Sequence, residues 1–288
     1  MAKATTSTKP KHDLHQEVTN SIIAALSDGQ LPWLRPGAGF PTNRTTGKAY
    51  HGLNVILLWL RANQMGFATD RWMTFNQGKA LGAQVRKGEK GVHCIKYTII
   101  EKKEKDATGK ESIRRIPYLS SFVVFNECQF DDLPELKAQD LAAAEADLVQ
   151  DLMQTGAAVR VDSRIRYDEA SDIIQIPTSD AFETPEMYAA TLGHLFIHWT
   201  GATSRLKREV SAKPGLNAHA FEEMVAEMGA AFLCAEYGIP SIAHHAEMVK
   251  DWLEVLEADK TSIFKAASLA GKAVDFIHAQ RQAKAAAA

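Results

Sequence analysis

Apolar residues recur every fourth position at Leu14, Val18, Ile22 and Leu26, between Asp13, a residue type that caps helix starts, and Gly29, a type that ends them. That period predicts an amphipathic helix. The pattern then lapses, and residues 31–48, rich in Gly, Pro, Asn and Thr, form a connection of the length that is usually functional or disordered. Helical periodicity returns at residues 53–63 and 75–81. After Lys87-Gly88-Glu89-Lys90-Gly91 come β-prone runs at 92–100 and 120–126, with a third candidate strand at 113–118. The charged stretch 101–111 reads as the solvent-exposed end of a long hairpin. Asp131-Asp132-Leu133-Pro134 has the composition of a linker. Beyond it, residues 141–153 are alanine-rich and helical, 157–161 and 172–177 read as short strands, and everything from Pro185 onward reads as helix interrupted at Pro214-Gly215, Gly238-Ile239-Pro240 and Asp259.

This pattern predicts an α+β protein of two domains: an N-terminal α+β domain and a mainly helical domain with a small sheet. A chain of 288 residues, 45% hydrophobic, has the material for two ordinary cores. The expected divisions are a disordered N-terminus at 1–12, a first domain at 13–130, a linker at 131–139 and a second domain at 140–288; the alanine-rich end, 283–288, is expected to fray. The longest apolar run, residues 54–60, is far short of the ~20 a membrane span needs. With no apolar signal segment at the N-terminus, this predicts a soluble, cytoplasmic protein without a membrane partner. Cys94, Cys128 and Cys234 are odd in number and widely spaced, so reduced thiols are expected rather than a disulfide framework.

Charge divides the chain more sharply than composition does. Residues 1–130 carry a net +9 and the remainder −11, although the whole is only −2. A basic half favours a polyanionic partner, because phosphate contacts release condensed counterions; a solvated lysine-rich surface is the alternative. Within that half, aromatic and basic residues interleave: Trp33, Arg35, Arg44, Lys48, Tyr50, Arg71, Trp72, Phe75, Arg86, Lys87 and Lys90. Cations that track a backbone, with flat rings on which unpaired bases stack, are the means by which single strands are held. No duplex-reading motif is apparent, so single-stranded or sequence-tolerant nucleic-acid binding is the expected form. Trp59, on an apolar helix, is assigned to the core, and Trp33, beside Pro32 in a basic loop, to binding. The turn at Gly88 and Gly91 reads equally as a phosphate cradle or as a tight solvated turn.

In the acidic half, His194 and His198 stand at i and i+4 on an apolar helix, the spacing that offers two imidazoles to one metal ion. Some twenty residues on, Glu222, Glu223 and Glu227 lie on a second helical pattern. Together they offer a His, His, Glu set for zinc, with neighbouring carboxylates as outer supports. Two histidines that fall four apart on a core helix are the alternative, and spacing alone leaves both open. Metallopeptidases with this spacing read H-E-x-x-H, the Glu taking a proton from the attacking water and passing it to the leaving amine. Here that position is Leu195, which can do neither.

Several stretches resemble the ArdC antirestriction proteins and the related N-terminal domain of plasmid conjugal primases. In the first half they are Leu31-Pro32-Trp33, Pro41 to Asn54, Arg71 to Gln77, Val85 to Gly91 and Val124 to Asn126; in the second, His194 to Gly201, Glu222 to Glu236 and Trp252 to Ala270. The resemblance implies an N-terminal single-stranded-DNA-binding domain, a C-terminal zincin-like metallopeptidase domain, and protection of incoming conjugative DNA from a recipient's restriction enzymes. It implies His194, His198 and Glu223 as metal ligands, with Glu222 and Glu227 as outer or alternative ones. Leu195 departs from the family's His-Glu-x-x-His. Two other functions stand beside this one: a zinc metallopeptidase acting on a host protein, and an acidic half that mimics DNA and occupies a host restriction enzyme.

Overall fold

Asp13 begins the first helix as its spacing predicts: its carboxylate accepts from the Gln16 N–H at 3.2 Å, and α1 (Leu14–Ser27) buries Val18, Ile22, Ala25 and Leu26 before Gly29, at φ 74°, turns the chain away. The computed structural model describes residues 13–34, 39–105, 111–136, 147–208 and 217–287. The expected disordered N-terminus, Arg35, the Pro214-Gly215 break and the start of the alanine-rich helix at 141 lie outside the described residues.

The N-terminal half wraps a sheet around one apolar helix. β1 (Thr42–Asn43), β2 (Arg71–Met73), β4 (Val92–Lys105) and β5 (Glu111–Asn126) form a sheet in the order β1-β2-β5-β4, and β3 (Gln84–Val85) pairs with β6 (Phe130–Asp131). β4 and β5 pair without interruption from Val92↔Val124 to Lys105↔Glu111. The candidate third strand at 113–118 is therefore part of β5. Asp131, the first residue of the expected linker, lies in β6 and pairs with Gln84 of β3. α2 (Leu53–Met65) is buried on every side from Val55 to Leu60 and ends at Gly66 in the left-handed conformation, φ 65°. Leu58 and Ala62 pack with Trp72, Cys94 and Val124, whereas Val55, Ile56 and Trp59 join a larger core. α3 (Phe75–Ala80) is held by a reciprocal cap between Thr74 and Gln77.

The C-terminal half begins with α4 (Leu148–Met153) and a small sheet, β7 (Ala158–Val161), β8 (Arg166–Asp168) and β9 (Ile173–Ile176), in the order β7-β9-β8. β8 has no apolar alternation, Arg-Tyr-Asp, and so left no trace in the pattern. Four helices follow: α5 (Pro185–Thr200), α6 (Ala218–Glu236), α7 (Val249–Ala258) and α8 (Ser262–Ala287). Thr184 and Asn217 cap α5 and α6 through the N–H groups of Met187 and Ala220. Gly229 lets these two helices close on each other: a Cβ there would lie 2.7 Å from Ile197 Cδ1 on α5. That approach sets the site.

The halves share one core. Trp33 packs edge-on against Trp252 of α7 with ring centroids 5.1 Å apart, and Trp59 of α2 meets Phe232 of α6 at 6.0 Å. α1 spends its apolar face on α7 and α2 touches α8.

Candidate metal centre

α5 is hydrophobic almost all round, so a histidine at its middle is carried into the interior whether or not it has a task; His194 is 3% exposed. The helical period brings His198 onto the same face, and the two Nε2 atoms come to 3.1 Å. From α6, Glu223 Oε2 reaches to 3.3 Å of His194 Nε2 and 3.5 Å of His198 Nε2. A tetrahedral ion with bonds of ~2.0–2.1 Å separates its ligand atoms by roughly 3.3 Å. The three edges match that figure, and Glu223 Oε2 is buried without a hydrogen-bond donor. The residues present therefore fit a divalent metal.

Glu222 faces the other side of His198, its Oε1 lying 3.1 Å from Nδ1. Arg208 grips that carboxylate, donating to Oε2 at 2.9 Å and pairing with Oε1, while its remaining N–H groups donate to Thr200 Oγ1 and the Ile197 carbonyl, each at 2.8 Å. The guanidinium fits because residue 201 is glycine: a Cβ there would meet Arg208 Nη2 at 2.8 Å. Such a carboxylate sets the tautomer of a ligating imidazole and leaves Nε2 for the metal. Glu227, 1% exposed, instead accepts the backbone N–H groups of His244 and His245, both at 2.9 Å. It fixes the loop after α6.

The electrostatics follow from this packing. Burial drives the pKa of His194 down to about 3. Burial also lowers that of His198, but Glu222 and Glu223 outweigh it and lift it to about 9. Burial pushes the Glu223 carboxyl up, and the two histidines overcome this to hold it well below the usual range. The cleft in front, about 590 Å³, is walled by Ile165, Tyr167, His219 and Leu195. Leu195 itself is 3% exposed. No carboxylate occupies the general-base position. Sequence reasoning missed His244 and His245, which come from a loop without periodicity; His245 Nε2 lies 3.3 Å from Glu223 Oε2.

The residues expected to bind strands fare unevenly. Trp33 and Trp72 are wholly buried, Trp72 edge-on to Phe67 at 5.9 Å, so neither can stack on a base in this conformation; the apolar neighbours of both prevailed over their basic sequence context. Arg44 and Arg71 share Glu127, and Arg44 is almost fully enclosed. Tyr50 is half-buried against Asn43, and burial pushes its hydroxyl up to about 12. Arg86 pairs with Glu89 at 3.0 Å, which partly neutralises the Gly88 turn. Lys48, Lys87 and Lys90 are exposed and make no ion pair among the described residues. Phe75, Tyr97 and Tyr118 are the exposed aromatics of this half, the two tyrosines on opposite faces of the β4–β5 hairpin.

Family models match both halves: the N-terminal domain of the anti-restriction factor ArdC at residues 12–125 and a zincin-like metallopeptidase at 146–269. The crystal structure of the antirestriction ArdC protein from the R388 plasmid, metal-free, superimposes with a TM-score of 0.81 at 40% identity, covering 94% of this chain and 99% of that one. Its Mn(II)-bound form gives 0.78 at the same identity, over 94% and 98%. Among curated relatives, protein y4eC of Sinorhizobium fredii is 33% identical over 93% of this chain and 92% of its own. An Escherichia coli DNA primase TraC is 33% identical over 94% of this chain, which spans only 28% of the primase.

Proposed function

Since the chain belongs to the ArdC antirestriction family, we propose that it protects incoming DNA of a mobile element from host restriction in the cytoplasm, by binding single strands through its N-terminal half. Its C-terminal half holds a divalent metal, zinc by the chemistry of its two imidazoles and one carboxylate, and does not hydrolyse peptides. Leu195 is the observation that carries this reading. A metal in the cleft supplies Lewis acidity, but the wall where hydrolysis needs a proton acceptor is a buried aliphatic side chain. Binding is then the activity left to the chain. The exposed cations Lys48, Lys87 and Lys90, and the exposed rings of Tyr97 and Tyr118, one on each face of the hairpin, support strand binding by groups other than the buried tryptophans.

The test is a salt titration of the full chain with labelled single-stranded and duplex oligonucleotides, alongside a Lys48→Glu/Lys87→Glu/Lys90→Glu variant. Single strands should bind more tightly than duplex, with affinity falling as salt rises, and the triple variant should show a shallower salt slope. Equal affinity for duplex, or an unchanged slope in the variant, contradicts the reading. Casein hydrolysis by the unmodified protein that stops on chelation would instead favour the peptidase.

A further inference from the structure

The loop that follows α6 brings a fourth side chain to the centre. Glu227 Oε1 accepts the N–H groups of His244 and His245 together, which pins the loop against α6 one turn beyond Glu223. His245 then directs Nε2 to 3.3 Å of Glu223 Oε2, the separation expected for two ligands of one tetrahedral ion. Its other nitrogen, Nδ1, lies 3.3 Å from Glu247 Oε1. The arrangement repeats that of His198, where Glu222 takes Nδ1 and leaves Nε2 facing Glu223. One atom each from His194, Glu223 and His245 falls within a common 4.8 Å span.

We propose that His245 is the fourth protein ligand of this centre, closing it into a His, His, His, Glu set with no position for an exogenous ligand. Catalytic zinc sites keep one position open and structural sites fill all four from the protein. The chain has an aliphatic residue where the general base belongs, and a third imidazole within reach of His194 and Glu223 at the same centre. The metal then ties α5, α6 and the loop before α7 together.

This rests on the metal reading above, and Co(II) titration of the full-length protein separates the two. Co(II) absorbs in the visible with an intensity set by its coordination, so it reports ligands without any assay of activity. The unmodified protein should give an intense four-coordinate spectrum that added azide does not change. His245→Ala should bind Co(II) more weakly, by roughly 10-fold or more on the scale seen for lost metal-site partners, and its spectrum should shift with azide. His245 is about one-third exposed on a loop, so the variant should fold, and its melt in the absence of metal checks that. Glu247→Gln, which leaves all four ligands, should weaken binding less and remain insensitive to azide. Azide sensitivity in the unmodified protein, or unchanged affinity in His245→Ala, overturns the fourth ligand while the centre stands. Failure of the unmodified protein to bind Co(II) any better than His194→Ala overturns the centre itself.

Discussion

Leu195 and His245 act on the same small volume, and their effects should depend on each other. Leu195→Glu alone restores a carboxylate but leaves the fourth position filled, so casein hydrolysis should stay at background. Leu195→Glu/His245→Ala supplies both base and open position and should exceed either single variant, toward the ~10²–10⁴ that general-base assistance is worth. Full activity in the single variant would show that the position is already open. A second residue, Asp259, reports on acid stability. Burial pushes its carboxyl up, but hydrogen bonds from the Thr261 N–H at 2.9 Å and hydroxyl at 2.7 Å, and the Lys265 ammonium at 3.0 Å, hold it well below its ordinary 3.8. A lowered folded pKa stabilises fully above the unfolded value and loses that contribution as pH falls through the folded one. Urea unfolding at about pH 6 and about pH 3 should therefore show the gap between the unmodified protein and Asp259→Asn narrowing at the lower pH. His194 and His198 were legible because helical spacing is written in the chain, whereas Glu223 was singled out from Glu222 and Glu227 only by the resemblance. His245 was not legible, since a loop residue is placed by a distant carboxylate, Glu227, and carries no period of its own.

At the level of elements, the long hairpin and the main helices follow from their patterns, because amphipathic period and β-branched runs act locally. β8 and the pairing of β3 with β6 do not, since strands of two or three residues exist only through their partners. The tryptophans mark another limit: an indole beside basic residues has the same local sequence whether it stacks on a base or fills a core. The close approach of α5 and α6 through Gly229 is likewise tertiary, and it is testable. Gly229→Val would drive its side chain into Ile197, which is itself fully buried. Overpacking of this kind costs ~1–3 kcal/mol. Because it also separates the histidines from Glu223, the variant should lose Co(II) affinity by a larger factor than its melt alone suggests. Retained affinity with a lowered melt would place the metal site apart from this contact.

Across the whole molecule, the two halves that differ so sharply in charge are joined by aromatic packing. Trp33 sits against Trp252 and Trp59 against Phe232, so the first half cannot be removed without stripping the second of part of its core. Trp33→Ala should cost ~3–5 kcal/mol, as a buried aromatic truncation does. Its thermal melt should remain one transition, shifted down, and the folded protein should bind oligonucleotides as before. A weaker binder with an unshifted melt would return Trp33 to the strand-binding surface. No helix among the described residues is long and apolar enough to cross a membrane. The Trp59–Phe232 contact has one more consequence. Phe232 belongs to the helix that carries Glu223, and Trp59 to the helix beneath the basic sheet, so a ligand that stiffens one can change the free energy of ordering the other. If metal alters the affinity for a strand by some factor, the strand must alter the affinity for metal by the same factor.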